Sequence, residues 1–283
     1  MNELHPPLSA VREVVARALA EDLEPLGDIT SALLPVEVLV QGELVARQDG
    51  VLAGRLSAAE TFALVDSAIV VNWFLDDGEE LDAGARIATV EGPLPSLLAA
   101  ERTALNLLCH LSGIATYTRS HVRATAGQAR IRDTRKTTPG LRALEKAAVR
   151  AGGGANHRGS LSDGVLVKDN HLVGISIETA VRRAHLLWPG RTVEVECDTR
   201  EQIEQALAAG ADLVLLDNMS PQQVAECVKL INKRCLVEVS GGVTLETVGA
   251  YADSGADLIS VGAITHSAPI LDIALDLPEE DRH

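Results

Sequence analysis

The feature that most constrains the fold is a series of six short apolar segments in the second half of the chain. They are Ala129–Asp133, Gly164–Lys168, Val193–Cys197, Leu213–Asp217, Leu236–Val239 and Leu258–Val261, with helical segments between them. Their length and bounding turns predict strands. The intervening stretches carry helix-start signals: Thr199 with Gln202 and Ser220 with Gln223 form capping-box patterns, and Pro221 stands at a first helical position. The turn AGADL at Ala209–Leu213 returns as SGADL at Ser254–Leu258, as successive βα units would give. This alternation predicts an incomplete α/β barrel of about six to seven parallel strands. A doubly wound sheet is the competing architecture, but no strand leads into a G-x-G-x-x-G turn.

The first half reads differently. Helical spacing runs over Leu8–Ala20, Ser57–Val65 and Leu97–Ala124, and strand alternation over Gln41–Arg47, Ile69–Leu75 and Arg86–Glu91. The pattern predicts an α+β sandwich with its sheet covered on one side. We therefore draw an N-terminal domain over residues 1–113 and a barrel domain over 114–283, with the C-terminal tail expected to pack back on the first. The stretch Asp77–Gly92 resembles the hairpin of a biotinyl or lipoyl carrier, which attaches its cofactor to a lysine. No lysine precedes Lys136, so the hairpin is read as scaffold.

Charge narrows the function. The chain has a formal net charge of −15, which argues against nonspecific nucleic-acid binding. Yet Arg130–Arg158 holds eight Lys/Arg against two acids, Asp133 and Glu145. A basic island in an acidic chain points to a local anion site; a solvated basic helix face is the plainer alternative. No leader pattern or membrane-length apolar run is visible. Cys109, Cys197, Cys227 and Cys235 show neither disulfide-framework nor metal-ligand spacing, so a cytoplasmic enzyme is expected.

The predicted strands end, in order, at Arg135 with Lys136, Lys168 with Asp169, Glu196 with Asp198, Asp217 with Asn218, Ser240-Gly241-Gly242, and Gly262. In a βα barrel these ends share one face, where the chemistry sits. Arg135 and Arg158 suit bidentate grip of carboxylates, with His157 as a further donor. Lys136 and Lys168 suit phosphate or pyrophosphate oxygens. Glu196 and Asp217 suit sugar hydroxyls or a hydrated Mg²⁺. Ser240, Gly241, Gly242 and Gly262 offer main-chain N–H groups to a phosphomonoester. Gly152–Gly154 is a weaker signal, readable as a flexible loop or lid.

The strings DTRKTTPGLRALEKAAVRAGGGANHR (Asp133–Arg158), VLVKDNH (Val165–His171), VEVECDT (Val193–Thr199), LVLLDNM (Leu213–Met219) and VEVSGG (Val237–Gly242) resemble those of the quinolinate phosphoribosyltransferase family. So do EDLEPLGDITS (Glu21–Ser31) and ERTALNLLCHLSGIAT (Glu101–Thr116). The resemblance implies an open sandwich plus a barrel of fewer than eight strands, in a head-to-tail homodimer. It implies transfer of a phosphoribosyl group from phosphoribosyl pyrophosphate (PRPP) to quinolinate, with release of pyrophosphate and CO₂, and no organic cofactor. Arg135, His157 and Arg158 would bind the quinolinate carboxylates, with Arg102 supplied by the neighbouring subunit. Lys136, Lys168 and Asp169 would face the pyrophosphate and its Mg²⁺, with Glu196 and Asp217 as candidate protein ligands of the ion. Glu196 and Asp217 would also hold the ribose, and Ser240, Gly241, Gly242 and Gly262 the 5-phosphate. Gly159 and Ala147 depart from the family pattern, where bulkier and aromatic residues are common. Three other readings stay open: a Schiff-base aldolase using Lys168, the homologous pyrophosphorylase-like protein found with molybdate-transport genes, and a non-catalytic sensor of pyridine carboxylates or PRPP.

Overall fold

The computed structural model describes residues 4–278, in two compact units. The first takes the described residues up to Arg119, with Thr138–Gly153 and the stretch from Ser267; the second takes Ser120–Thr137 and Gly154–His266. In chain order the elements begin with α1 (Leu8–Leu23), β1 (Leu39–Ala46), β2 (Gly50–Val51), α2 (Arg55–Val65), β3 (Val70–Trp73), β4 (Glu80–Leu81), β5 (Arg86–Pro93) and α3 (Leu94–Ala124). Then come β6 (Arg130–Arg132), α4 (Arg142–Ala151), β7 (Val165–Val167), α5 (Ile177–Leu187), β8 (Val193–Cys197) and α6 (Arg200–Ala209). The series closes with β9 (Leu213–Asp217), α7 (Pro221–Ile231), β10 (Leu236–Ser240), α8 (Val248–Asp253), β11 (Leu258–Ser260), α9 (Ala263–His266) and β12 (Ile273–Asp276).

The first unit is built on a four-stranded sheet in the order β12-β1-β5-β3, antiparallel throughout. Its inward side chains, among them Leu44, Ile87 and Val90, pack with Ala58 and Phe62 of α2 and Leu97, Ala104 and Leu108 of α3. One face is thus covered by helices, the open sandwich expected from the alternation. The Asp77–Gly92 hairpin does not form. Its first arm, β4, pairs with β2, while β5 pairs with β1 and β3. A turn at Asp82–Ala85, with Gly84 at φ +88°, sends the two arms to different partners. Gly152 also departs from the loop reading. It caps α4, and a Cβ there would collide with the Ala115 carbonyl, so this glycine is packed against α3.

The second unit carries six parallel strands in the order β6-β11-β10-β9-β8-β7. Each βα step from β7 to β11 moves one place along the sheet, and β6 closes on β11. Both predicted capping boxes are present at the starts of α6 and α7. Laid flat, β6 and β7 would lie roughly 24 Å apart at the usual strand spacing. Residues following both strands nevertheless line one cavity, so the sheet is curved into an incomplete barrel. Its seam falls between β6 and β7, which do not pair. There Ala155 makes a lone parallel bridge to Arg132, donating its N–H to Ile131 O at 2.8 Å and accepting from Asp133 N at 3.2 Å.

Aromatic residues make up only 2% of the chain, so few positions carry large core volumes. Phe62, 1% exposed, is one. Phe62→Ala is expected to lower the unfolding free energy of the first unit by about 3–5 kcal/mol. Denaturant titration would measure it, and a loss near zero would show that the site collapses around the cavity.

Candidate active site

The C-terminal ends of the six barrel strands enclose a cavity of about 230 Å³. Arg135, Lys136, His157, Arg158, Lys168, Glu196, Asp217 and Ser240 all line it, together with Thr134, Leu166, Leu215 and Ser260. The strand period explains the convergence. Glu196, Asp217 and Ser240 sit at or near the last inward position of β8, β9 and β10, with Ser240 in register with Asp217.

The remaining sequence-predicted residues lie outside the lining. Asp169 begins a short 3₁₀ turn, is exposed, and accepts from Asn170 N at 2.6 Å. Gly241 and Gly242 follow β10 with φ of +96° and +61°. A Cβ on Gly241 would collide with Asn218 Oδ1, so close approach as well as backbone conformation requires glycine there. Gly262 precedes α9, where a Cβ would come within 3.1 Å of Lys136 Cδ. Arg102 belongs to α3 in the first unit; its side chain is 66% exposed, with Glu101 Oε1 at 4.0 Å. Gly159 donates its N–H to Asp163 Oδ2 at 2.8 Å and has room for a side chain. The departure there therefore removes no steric fit. Ala147 is buried in α4.

Electrostatics separates the mouth into two sides. Arg158 donates through Nη1 to Gly164 O at 3.1 Å. Burial, and next the charge of Arg135, lower its pKa, with Glu194 acting the other way. Two guanidinium groups held close enough to oppose each other are stabilised by an anion between them. On the other side, Lys168 Nζ is ion-paired with Glu196 Oε2. Asp217 Oδ2 accepts from Asn218 Nδ2 at 2.6 Å. The Lys136 backbone is held by Thr265 Oγ1, which donates to its carbonyl at 2.8 Å.

Beneath the mouth lies a layer that sequence reasoning missed. Arg132, Glu194 and Glu238 project into the barrel, with Glu194 5% and Glu238 0% exposed. Arg132 Nη1 pairs with Glu238 Oε2, and Ser260 Oγ donates to Glu238 Oε1. His157 Nε2 is 3.2 Å from Glu194 Oε2 and 3.6 Å from Glu238 Oε1. Burial, reinforced by the Glu194 charge, pushes the Glu238 carboxyl up to about 7. Burial likewise raises Glu194, opposed first by Arg132. The Asp133 carboxylate, fully buried, accepts from Asn156 Nδ2 at 2.5 Å and His157 N at 2.8 Å. The signal was present in VEVEC and VEVS: valine–glutamate alternation in a barrel strand turns the glutamates inward.

The chain matches the family models "Quinolinate phosphoribosyl transferase, N-terminal domain" over residues 28–112 and "Quinolinate phosphoribosyl transferase, C-terminal domain" over 114–276. It is 46% identical over 278 residues to the nicotinate-nucleotide pyrophosphorylase [carboxylating] of Mycobacterium leprae, covering 95% of this chain and 97% of that protein. A probable nicotinate-nucleotide pyrophosphorylase [carboxylating] of Bacillus subtilis is 44% identical, covering 89% and 88%. Among solved structures, the nicotinate-nucleotide pyrophosphorylase of Francisella tularensis superposes with a TM-score of 0.92 at 38% identity, covering 97% of this chain and 98% of that one.

Proposed function

The chain belongs to the quinolinate phosphoribosyl transferase family, and from that premise we propose that it transfers the phosphoribosyl group of PRPP to quinolinate. The ring nitrogen of quinolinate attacks C1 of the ribose and pyrophosphate leaves. The 2-carboxylate then departs as CO₂, giving nicotinate mononucleotide for NAD biosynthesis. One observation carries the assignment to this site: a single cavity sets Arg135 and Arg158 beside Lys136, Lys168, Glu196 and Asp217.

Arg135 and Arg158 form the dicarboxylate grip; His157 lines the same cavity, but its Nδ1 accepts from the Arg158 N–H and its Nε2 faces Glu194, so it supports the grip rather than donating to the substrate. Lys136 and Lys168 meet the charge that develops on departing pyrophosphate, and Asp169 follows Lys168 in sequence. Glu196 and Asp217 accept from the ribose hydroxyls and stand near the positive charge that builds at C1. Ser240, Gly241, Gly242 and Gly262 present main-chain N–H groups to the 5-phosphate. Once the ring nitrogen is alkylated, its positive charge stabilises the carbanion left by CO₂. The C2 carbanion is quenched by one proton taken from water, which gives nicotinate mononucleotide; no dedicated base is then required, and holding the carboxylates in place is the protein's main task.

Glu196 and Asp217 are oxygen donors in the same cavity, a set that fits Mg²⁺ arriving with PRPP. Bound there, the ion would offset charge on the leaving pyrophosphate. A homodimer completes the reading, with Arg102 of one subunit serving its neighbour's site; its exposure within one chain supports such a role. Among the described residues no helix is long and apolar enough to cross a membrane, and all four cysteines are free. Both accord with a cytoplasmic setting. The aldolase reading loses ground because Lys168 is ion-paired with Glu196 rather than isolated in an apolar pocket.

Steady-state release of nicotinate mononucleotide from quinolinate, PRPP and Mg²⁺ tests the activity; no turnover would refute it. Arg135→Ala is expected to raise the quinolinate KM by at least about thirtyfold, the equivalent of 2 kcal/mol or more for a truncated charged contact, and the PRPP KM far less. A larger effect on PRPP would overturn the role given to Arg135. Mixing inactive Arg102→Ala and Lys168→Ala chains is expected to restore part of the activity. Complete absence of recovery after subunit exchange would contradict the shared site.

A further inference from the structure

The layer of charge inside the barrel has no part in the chemistry above, yet it lies directly against the dicarboxylate grip, with Glu194 Oε2 at 3.2 Å and Glu238 Oε1 at 3.6 Å from His157 Nε2. The Arg158 main-chain N–H donates to His157 Nδ1 at 2.7 Å. An N–H can only donate, so Nδ1 is the acceptor and a neutral ring carries its proton on Nε2. Nε2 points to Glu194 and Glu238. These three side chains offer donor atoms within 4.8 Å of one another, a grouping that could suggest a metal. A metal would need the Nε2 lone pair and hence a proton on Nδ1, where the Arg158 N–H already points. The geometry therefore favours an imidazole held between the Arg158 N–H and the two buried glutamates over a metal centre.

We propose that Glu238 is a positioning residue for quinolinate binding: paired with Arg132 in the barrel interior, it helps fix His157 so that its Nδ1 holds the Arg158 backbone and aims that guanidinium into the cavity. The proposal rests on the functional reading above, and Glu238 itself touches no substrate. The groups facing it are Arg132 from β6, Glu194 from β8, His157 from the seam and Ser260 from β11, while its register neighbour on β9 is Leu215.

The arrangement has an electrostatic consequence. With one of the two glutamates protonated, Arg132 balances the other and the layer is close to neutral. Because burial raises Glu238 to about 7, its proton is lost as pH rises through that value. A negative charge then appears beneath a site that must hold a dianion.

Quinolinate KM and PRPP KM measured from pH 6 to 8.5 test this. In the wild-type enzyme the quinolinate KM is expected to climb on the order of tenfold above pH 7, the scale of one added charge at close range, with a much smaller change for PRPP. Glu238→Gln keeps the shape and removes the charge, so its quinolinate KM is expected to stay flat and near the wild-type low-pH value. Glu238→Leu strips Arg132 and Ser260 of their partner, and is expected to raise quinolinate KM at every pH with kcat less affected. Should the Leu chain fail to fold, the wild-type and Gln profiles decide. A flat wild-type profile, a Gln variant retaining the wild-type rise, or equal shifts for both substrates would overturn the proposal. Absence of any turnover in the wild type would instead refute the functional reading.

Discussion

The site depends on where the barrel is left open. β6 and β7 are consecutive strands of the six-stranded sheet, yet they lie at its two ends and do not pair. The gap is filled by the chain running from Ala155 to Arg158, which cannot form a full ladder and is fastened instead by one bridge to Arg132 and by the Asp133 carboxylate. A closed barrel would place an ordinary strand there, with side chains alternating in and out. The seam delivers two successive residues, His157 downward and Arg158 across, to positions that one strand could not supply from neighbours. The basic island read from the sequence becomes a binding surface only because this stretch returns beside β6.

The two charge layers are linked physically. A mouth that collects Arg135, Arg158, Lys136 and Lys168 attracts anions only if acids below do not cancel it. Within the barrel one arginine faces two glutamates, and burial holds Glu238 up to about 7, so the interior is near neutral below that pH and gains a negative charge above it. Paired and hydrogen-bonded charges are tolerable inside; an unpaired one would be costly. The interior can thus be polar while leaving the field at the mouth positive.

Much of this was legible before any coordinates. The strand segments and the capping residues of α6 and α7 were readable because period-two runs and capping boxes are local signals. The strand-end residues followed, since barrel topology brings such ends together: six of those predicted line one cavity, with His157 and Arg158 from the seam beside them. What local pattern could not supply was pairing. Asp77–Gly92 looked like one hairpin, but its arms joined β2 and the β1–β5–β3 sheet, a choice made by long-range contacts. The inward glutamates escaped notice because a strand read as an apolar run is judged by its valines. Glu194 and Glu238 matter through Arg132 and His157, which lie far from them in sequence.

The central claim is that one cavity couples phosphoribosyl transfer to loss of a specific carboxylate. The most direct measurement uses quinolinate labelled at the 2-carboxyl, following labelled CO₂ and pyrophosphate in the same reaction. The account predicts that the two appear in equal amounts and that neither forms without PRPP. Pyrophosphate released without labelled CO₂, or CO₂ released without PRPP, would contradict it.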